Sequence, residues 1–469
     1  MSLEARRIRV WGIVQGVGFR PFVYRLARQH GLRGWVLNDE GGVEAWLEGR
    51  SSDLEAFLAA LSTEAPSAAQ IAGIRVHAEE PRGYLDFRIA ESHKHNRPIT
   101  RIPPDLAVCE DCLRELFAPT DRRYRYPYIN CTNCGPRYSV ILGLPYDRPN
   151  TTVRSWAMCP ACEREYHDPL DRRFHAQPTA CPVCGPHYFL KLGDAELREE
   201  VDAIREAARL LQEGKIVAIK GLGGYHLACN AEDPRAVQAL RERKFRKEKP
   251  FALMVPDLQT ARALVEIAPE TEALLTSCAR PIVLAPARRH LPGVAPENRD
   301  LGVMLPYTPL HYLLFAEGAP SLLIFTSANR SSEPIAYHDD EALEKLSDIA
   351  DAFLMGERPI ARRLDDSVVR QGPFGPLMLR RSRGYAPAAV ATLPIREPIL
   401  AVGADLKNTV TLVVEGQVFM SQFVGDLEHY EAFRAHQETL QDLLRMYELD
   451  PQQLTVVRDL HPEYRSSQH

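Results

Sequence analysis

Eight of the ten cysteines in this 469-residue chain fall into four Cys-x-x-Cys pairs: Cys109/Cys112, Cys131/Cys134, Cys159/Cys162 and Cys181/Cys184. Closely spaced thiolates on tight turns suit a tetrahedral metal rather than a disulfide framework, since Met1–Val10 is charged and lacks the apolar core of a secretion signal. The pairs form two copies offset by 50 residues. Asp121-Arg122-Arg123 matches Asp171-Arg172-Arg173 between the pairs, and Tyr138 and Tyr188 follow the second pairs at the same distance. Identical spacing is compatible with one zinc per copy or with ligands exchanged between copies; pairing within each copy is the simpler arrangement and the one expected. Structural zinc takes four protein ligands and leaves no open position, so the eight thiolates fill two closed Zn2+ sites. A redox Cys-x-x-Cys needs a strand–helix context that is absent here. His167 and His175, between the second pair of turns, could replace a ligand, but with a full set of thiolates they are expected to be surface or interface histidines. Cys229 and Cys278 stand alone among apolar neighbours and are expected to be buried small hydrophobes.

The length exceeds what one hydrophobic core usually serves, which predicts three or four domains. Apolar residues at 45% and charged residues at 25% exclude a disordered chain, and a formal charge of -5 gives no bias towards nucleic acid or anionic membrane. Any anion site must be local. No apolar run reaches the length of a membrane span. A soluble cytoplasmic protein without nucleic-acid or membrane partners is expected.

Ahead of the repeats, Ile8, Val10, Gly12 and Val14 alternate as a strand, and Gln15-Gly16-Val17-Gly18-Phe19-Arg20 interrupts it. Phe22, Val23, Leu26, Ala27 and His30 follow at helical spacing, with Gly31 as a stop. Gly34–Asn38 and Val43–Leu47 read as strands joined through Asp39-Glu40-Gly41-Gly42, a second helix carries Leu54, Phe57, Leu58 and Leu61, and Ile71–Val76 and Leu85–Ile89 are extended. The order β-α-β-β-α-β predicts a ferredoxin-like domain over 1–91. A glycine-rich loop opening a helix presents N–H groups to an anion, and Arg20 adds a fork of donors. With Gly34-Trp35-Val36-Leu37-Asn38, the loop closely resembles acylphosphatase. The resemblance gives Arg20 the phosphate, Asn38 the attacking water, and Gly16 and Gly18 the phosphate loop.

Beyond the zinc segment (105–190, with modules 109–134 and 159–184), Ile204, Ala207, Ala208 and Leu211 mark an amphipathic helix, and Lys215–Lys220 a buried strand. Gly221 to Cys229 reads as a flexible turn suited to close approach by a ligand. The charge run from Leu240 ends at Pro250 before an apolar strand, Phe251–Val255, so its cations converge at a strand edge. Lys244-x-Arg246-x-x-Lys249-Pro250 resembles the YrdC family, which makes carbamoyl-type adenylates from ATP. Leu322–Asn329, ending Thr326-Ser327-Ala328-Asn329, Asp365–Val369 and Leu379–Gly384 resemble its later segments, in order, over 200–386. The resemblance makes Lys244, Arg246 and Lys249 phosphate ligands and gives Ser327 and Asn329 the nucleotide or carbamoyl group, with Thr326, Ser367 and Arg380 in support. Attack on an α-phosphate builds negative charge, which such cations stabilise in a water-poor cleft. ATP with Mg2+ is the implied substrate.

Pro387–Pro398 reads as a proline- and alanine-rich linker. Ile399–Thr409, the strands Val410–Val414 and Val418–Phe423 around Glu415-Gly416, a helix Phe433–Leu444 and a strand Leu454–Asp459 follow. This segment, 395–469, resembles the start of the actin/hsp70-like carbamoyltransferase domain related to the tRNA threonylcarbamoyl-transferase. Its length is too short for a two-lobed domain, and Asp459–Tyr464 looks like mid-domain sequence, so an incomplete domain and a truncated chain are expected.

The multidomain α/β order of acylphosphatase-like, duplicated zinc-ribbon, YrdC-like and partial carbamoyltransferase segments resembles the hydrogenase-maturation carbamoyltransferase family along the whole chain. That resemblance implies cleavage of carbamoyl phosphate, formation of carbamoyl adenylate with release of pyrophosphate, and transfer of the carbamoyl group to a C-terminal cysteine of the partner HypE, as precursor of the cyanide ligands of a nickel–iron hydrogenase. The zinc repeats would hold the two catalytic domains in a fixed relation, and transfer to HypE would need sequence beyond this chain. Two rivals are a threonylcarbamoyl-adenylate synthase for tRNA modification, against which the acylphosphatase motif counts, and a non-enzymatic zinc scaffold.

Overall fold

The computed structural model describes residues 3–39, 41–66, 68–91, 101–331 and 333–469. Strand β1 (Glu4–Ile13), helix α1 (Phe19–Gln29), β2 (Arg33–Asp39), β3 (Gly42–Gly49), α2 (Ser51–Thr63), β4 (Gln70–Glu79) and β5 (Phe87–Ile89) follow the expected order. Glu40, in the predicted β2–β3 turn, lies outside the described residues. The sheet runs β4-β1-β3-β2-β5, a ferredoxin-like arrangement extended by a short edge strand parallel to β2. Alternation on β1 puts Ile8 and Val10 into a core with Phe22, Val23, Leu26, Leu54 and Phe57 from the apolar faces of both helices.

Each zinc repeat opens a short helix at its first cysteine. Cys109 is the N-cap of α3 (Glu110–Phe117) and Cys159 that of α4 (Pro160–His167), with Pro160 in the first turn, where a missing N–H costs nothing.

An eleven-stranded mixed sheet forms the centre. Its strands are β6 (Tyr188–Leu192), β7 (Ala195–Leu197), β8 (Val217–Lys220), β9 (Tyr225–Asn230), β10 (Ala252–Met254), β11 (Ile282–Pro286), β12 (Asp300–Met304), β13 (Leu323–Ser327), β14 (Ala352–Gly356), β15 (Val368–Gly372) and β16 (Gly375–Arg380). They lie in the order β16-β15-β11-β12-β10-β13-β9-β8-β14-β6-β7. Helices α5 (Glu200–Gln212), α6 (Pro234–Arg243), α7 (Leu258–Leu264), α8 (Pro269–Thr276), α9 (Pro309–Ala316) and α10 (Asp339–Leu346) connect them. On β8, Ala218 enters one core and Val217 and Ile219 the other, so a strand covered on both faces reads as an unbroken apolar run.

A third sheet, β17-β20-β19-β18-β21, comprises β17 (Ala389–Thr392), β18 (Ile399–Ala401), β19 (Thr411–Val414), β20 (Gln417–Met420) and β21 (Thr455–Val457), with α11 (Tyr430–Met446) against it and α12 (Arg465–Gln468) at the end. No helix among the described residues is long and apolar enough to cross a membrane.

Three expectations need correction. Tyr225–Asn230, read as part of a flexible turn, is a central strand between β8 and β13, and only Gly221–Gly224 turns. Part of the Pro387–Pro398 linker is β17, whose main chain pairs with β20 despite the neighbouring prolines. Cys278 is exposed, because it falls in the tight turn between α8 and the left-handed Arg280 (φ 45°); Cys229 on β9 is buried as expected.

The first zinc repeat shares cores with both larger units. Cys112, Leu116, Tyr126 and Tyr128 pack with Ile204, Ala207 and Leu211 of α5 and Leu313 of α9. Tyr138, Ile141 and Tyr146 pack instead with Leu400, Leu412, Phe419 and Leu443 around the third sheet. Phe174 of the second repeat meets Tyr24 of α1 at 5.7 Å, edge to face.

Candidate functional site

The cysteines gather within each copy. In the first, Cys109–Cys131, Cys131–Cys134 and Cys112–Cys134 Sγ atoms are 3.6, 3.8 and 3.5 Å apart. In the second, Cys159–Cys181, Cys181–Cys184 and Cys162–Cys184 are 3.7, 3.7 and 3.6 Å apart. A zinc ion at the usual ~2.3 Å from each thiolate of a tetrahedron needs sulfur–sulfur edges of about 3.8 Å. Both clusters have that geometry, and all eight cysteines are free of disulfides. They are two closed four-thiolate sites suited to structural zinc.

Four thiolates around a divalent cation carry a net double negative charge, and the opposite repeat supplies its compensation. Arg122 donates to Cys162 Sγ at 2.8 Å and to Glu165, while Arg172 donates to Cys112 Sγ at 3.3 Å and to Glu115. Arg123 and Arg173 reach Ala180 O and Asn130 O, equivalent carbonyls 50 residues apart. Against the desolvation of its half-buried position, Arg122 and Arg123 hold the Glu165 carboxyl down at about 2.

The N-terminal loop is pinned at both ends. Gln15 Nε2 donates to Asp39 O (2.6 Å) and Gly42 O (2.8 Å), tying the loop to the β2–β3 turn, and Gly18 is the left-handed N-cap of α1 (φ 74°). Gly16 is left-handed too (φ 68°), and a Cβ there would lie 2.9 Å from the Tyr146 ring. A Cβ on Gly18 would meet Thr132 at 3.0 Å. The zinc block therefore lies directly over the loop. Arg137, almost wholly buried, donates to Gly16 O and to four carbonyls of its own segment, among them Cys134 O and Thr132 O.

Gly16, Gly18 and Arg20 line one narrow cavity with Thr132, Arg137, Tyr146, His175 and Gln177 of the zinc block. Arg20 Nη2 lies 3.1 Å from Asp147 Oδ1. Asn38 is fully buried on β2 with neither amide atom hydrogen-bonded, and it is not among the lining residues. A buried amide left without partners is costly unless water or ligand satisfies it. Asp147, Tyr146 and Arg137 had no signal in the motif, since they come from more than a hundred residues away.

The second candidate region is a cavity of about 560 Å³ lined by Lys244, Arg246, Lys249, Ser327, Asn329 and Arg380. Lys244 caps the C-terminus of α6 and extends Nζ to Ser327 O (2.8 Å), Asn329 O (2.6 Å) and Asn329 Oδ1 (2.5 Å). Burial, then Arg246, pushes its pKa well below the usual lysine range. Lys249 is lowered in the same way by burial, Arg246 and Arg380. Arg246 lies 4.7 Å from the Phe251 ring centre and donates to Thr326 Oγ1 at 3.0 Å, so Thr326 sits behind the cation. Ser327 Oγ donates to Asn329 Oδ1 at 3.0 Å. The cavity thus crowds several cations together, offset in part by Glu333, Asp365 and Asp426 on the same lining. Ser367 lies apart from the lining, its hydroxyl buried between Arg383 O (2.9 Å) and Ser382 N (2.8 Å). The Gly223–Gly224 turn serves protein, not ligand: a Cβ on Gly223 would lie 2.4 Å from Leu364 Cβ, and one on Gly224 2.7 Å from Ile335.

The motif also missed residues that close the cavity. Asp365 faces Arg380 at 3.4 Å, and Lys407, Phe423, Asp426 and His429 approach from the third sheet's unit. Lys407 lies in the Ile399–Thr409 segment, to which the sequence assigns no site role.

Comparison with known proteins agrees with this layout. Family models match in four places: acylphosphatase at 6–89, the HypF finger at 108–141 and 158–191, the Sua5/YciO/YrdC family described as telomere recombination at 209–382, and the HypF Kae1-like domain at 394–469. The chain is 48% identical, over 99% of its length, to the carbamoyltransferase HypF2 of Cupriavidus necator, and 48% identical, over its whole length, to the carbamoyltransferase HypF of Rhodobacter capsulatus. It spans 60% and 62% of those relatives. Full-length HypF in a phosphate- and nucleotide-bound crystal form is 45% identical and superposes with a TM-score of 0.95, covering 100% of this chain and 61% of that one. HypF from T. kodakarensis superposes at 0.90 with 44% identity, covering 99% of this chain and 60% of that one.

Proposed function

The chain belongs to the HypF family, and on that footing we propose that it cleaves carbamoyl phosphate at the Arg20 loop and adenylates the product in the Lys244 cavity. The observation that carries this reading is the zinc block itself, which lies over the first site and shares a core with the unit that holds the second. Water cleaves carbamoyl phosphate to carbamate and phosphate. The loop N–H groups of Gly16 and Gly18 and the Arg20 guanidinium neutralise the phosphoryl oxygens, and the family resemblance gives the water to Asn38, whose buried amide has no hydrogen-bond partner although it does not line that cavity. The carbamate oxygen then attacks the α-phosphate of ATP, giving carbamoyl adenylate and pyrophosphate. Lys244, Arg246, Lys249 and Arg380 take up the charge of the triphosphate; Ser327 and Asn329 fix the nucleotide or carbamoyl group. Mg2+ accompanies ATP, as it does for most triphosphates.

Carbamate decomposes readily in water, so the two steps need a shielded relation between sites. The zinc ions supply rigidity only. In the family's reaction the carbamoyl group passes from the adenylate to the C-terminal cysteine thiol of HypE, releasing AMP; that acceptor is part of the same proposal. Segment 395–469 contributes a wall to the adenylating cavity and is read as the start of the transferring domain.

ATP–pyrophosphate exchange tests the reading. Exchange that requires carbamoyl phosphate, and is lost in both Arg20→Ala and Lys244→Ala, supports it. Exchange driven by threonine and bicarbonate points to a threonylcarbamoyl-adenylate synthase. No exchange, with both variants indistinguishable from the parent, leaves a zinc scaffold.

A further inference from the structure

Positions 125 and 175 are equivalent in the two zinc repeats, and both are left-handed, with φ of 59° and 56°. Each donates its backbone N–H to the helix of its own repeat, Arg125 to Leu116 O at 2.8 Å and His175 to Tyr166 O at 3.0 Å. The backbone conformation therefore belongs to the repeat, and only the side chain differs. Arg125 reaches the adenylating unit, where it pairs with Glu317 at the end of α9. His175 reaches the other way and lines the cavity that holds Gly16, Gly18 and Arg20.

The imidazole is held in place by rings. Phe174 and Tyr166 lie 4.7 and 5.0 Å from its centroid, and Tyr166 is fixed by a 2.9 Å bond to Gln177, which also accepts from Arg148 N at 2.8 Å. Burial, then the charge of Arg20, keeps the ring neutral, with its pKa pushed down to about 3. A neutral imidazole offers one donor and one acceptor. Beside a guanidinium that takes the phosphoryl group, it suits the uncharged end of an acyl phosphate. The acylphosphatase-like segment ends before residue 100, so this group comes from outside that fold.

We propose that His175 is a specificity-determining residue of the Arg20 site, hydrogen-bonding the carbamoyl end of carbamoyl phosphate while Arg20 and the glycine loop hold its phosphoryl group. The proposal rests on the reading of that site as an acyl-phosphate hydrolase. It goes further by assigning selection of the acyl group to the second zinc repeat.

Phosphate release by the full chain, with zinc content measured on each sample, tests it with carbamoyl phosphate and acetyl phosphate as substrates. His175→Gly tolerates the left-handed backbone, and His175→Asn also restores a donor and an acceptor. His175→Gly is expected to lower kcat/KM for carbamoyl phosphate by about tenfold or more, with a much smaller change for acetyl phosphate and unchanged inhibition by inorganic phosphate. His175→Asn should recover part of the loss. A His175→Gly chain that hydrolyses carbamoyl phosphate at the parental rate, while Arg20→Ala is inactive, overturns the inference and leaves the reading of the site standing. Equal losses for both substrates and for phosphate binding show a structural role and overturn it as well. A parental chain that releases no phosphate from carbamoyl phosphate overturns both.

Discussion

Arg122 of the first zinc repeat places Nη2 2.8 Å from Cys162 Sγ of the second, and Arg172 returns the contact with Nη2 3.3 Å from Cys112 Sγ. Metal ligation stays within each copy and charge compensation crosses between them, so the two sites form one block.

Removing such outer partners typically weakens metal binding by about 10–100-fold. Arg122→Ala should make the Cys159/Cys162/Cys181/Cys184 site lose zinc at about tenfold lower chelator concentration, with the other site unchanged. Arg172→Ala should do the reverse. Stepwise zinc release against a chromogenic chelator reads both, and equal shifts at the two sites in either variant would refute the crossed arrangement.

The Arg20–Asp147 pair predicts competition with phosphate. The cavity beside Arg20 has about 20 Å³ open, room for about one water, so on the proposed reading a phosphoryl group competes with Asp147 for the guanidinium. Relieving a partly exposed ion pair is worth about 1 kcal/mol at most. Asp147→Asn should therefore tighten inhibition by inorganic phosphate roughly fivefold at low salt, with less effect at high salt. Weaker phosphate inhibition would mean that Asp147 helps to build the site.

The sequence carries what depends on local spacing. The duplication fixed the metal ligands, and the alternation around Ile8 and Val10 with the helical spacing of Phe22 and Leu26 fixed the ferredoxin-like sheet. Lys244, Arg246, Lys249, Ser327 and Asn329 meet in one cavity because a strand end and a helix C-terminus face each other across it. What the sequence hides is partnership at a distance. Asp-Arg-Arg recurs in each copy, but the same spacing serves arginines that stay home or cross over. Asp147 lies 127 residues from Arg20. Gly223 and Gly224 looked like ligand glycines because close approach by protein and by ligand demands the same missing side chain. Ser367 carries a hydroxyl in the expected segment, yet spends it on two backbone groups.

Glu200, at the start of α5, predicts a pH dependence. Burial pushes its carboxyl up from 4.5 to about 8, although Tyr188 N donates to it at 2.7 Å. The folded chain keeps this proton to about pH 8, whereas the unfolded chain releases it near 4.5. Between those values the folded state binds more protons, so stability falls as pH rises, and the full penalty is present above 8. Glu200→Gln keeps the acceptor for Tyr188 N and should stabilise the chain at pH 9 by roughly 2–4 kcal/mol, with the gain shrinking towards pH 5. Urea midpoints at the two pH values measure it, and a gain independent of pH would assign the effect to packing.

Arg362 joins three units through one guanidinium. It donates to Tyr138 O and, at 2.7 Å, to Ile141 O of the zinc block, and holds Asp442 of α11 at 2.7 and 3.3 Å. Its side chain is 6% exposed and that of Asp442 15%, and Asp442 also accepts from the exposed Arg445 at 2.9 Å, so removing Arg362 takes away the carboxylate's buried partner and leaves it the exposed one. Arg362→Met should cost less than the ~3–5 kcal/mol of a fully stranded buried charge, because Arg445 still holds Asp442. Arg362→Met with Asp442→Leu should cost less than the single change, because the carboxylate that has lost its buried partner is removed as well. Recovery stays partial, since the Tyr138 and Ile141 carbonyls still lose their donor. A denaturant double-mutant cycle on the two positions tests this. A double variant as unstable as the sum of the singles would show that Arg362 acts through those two carbonyls alone.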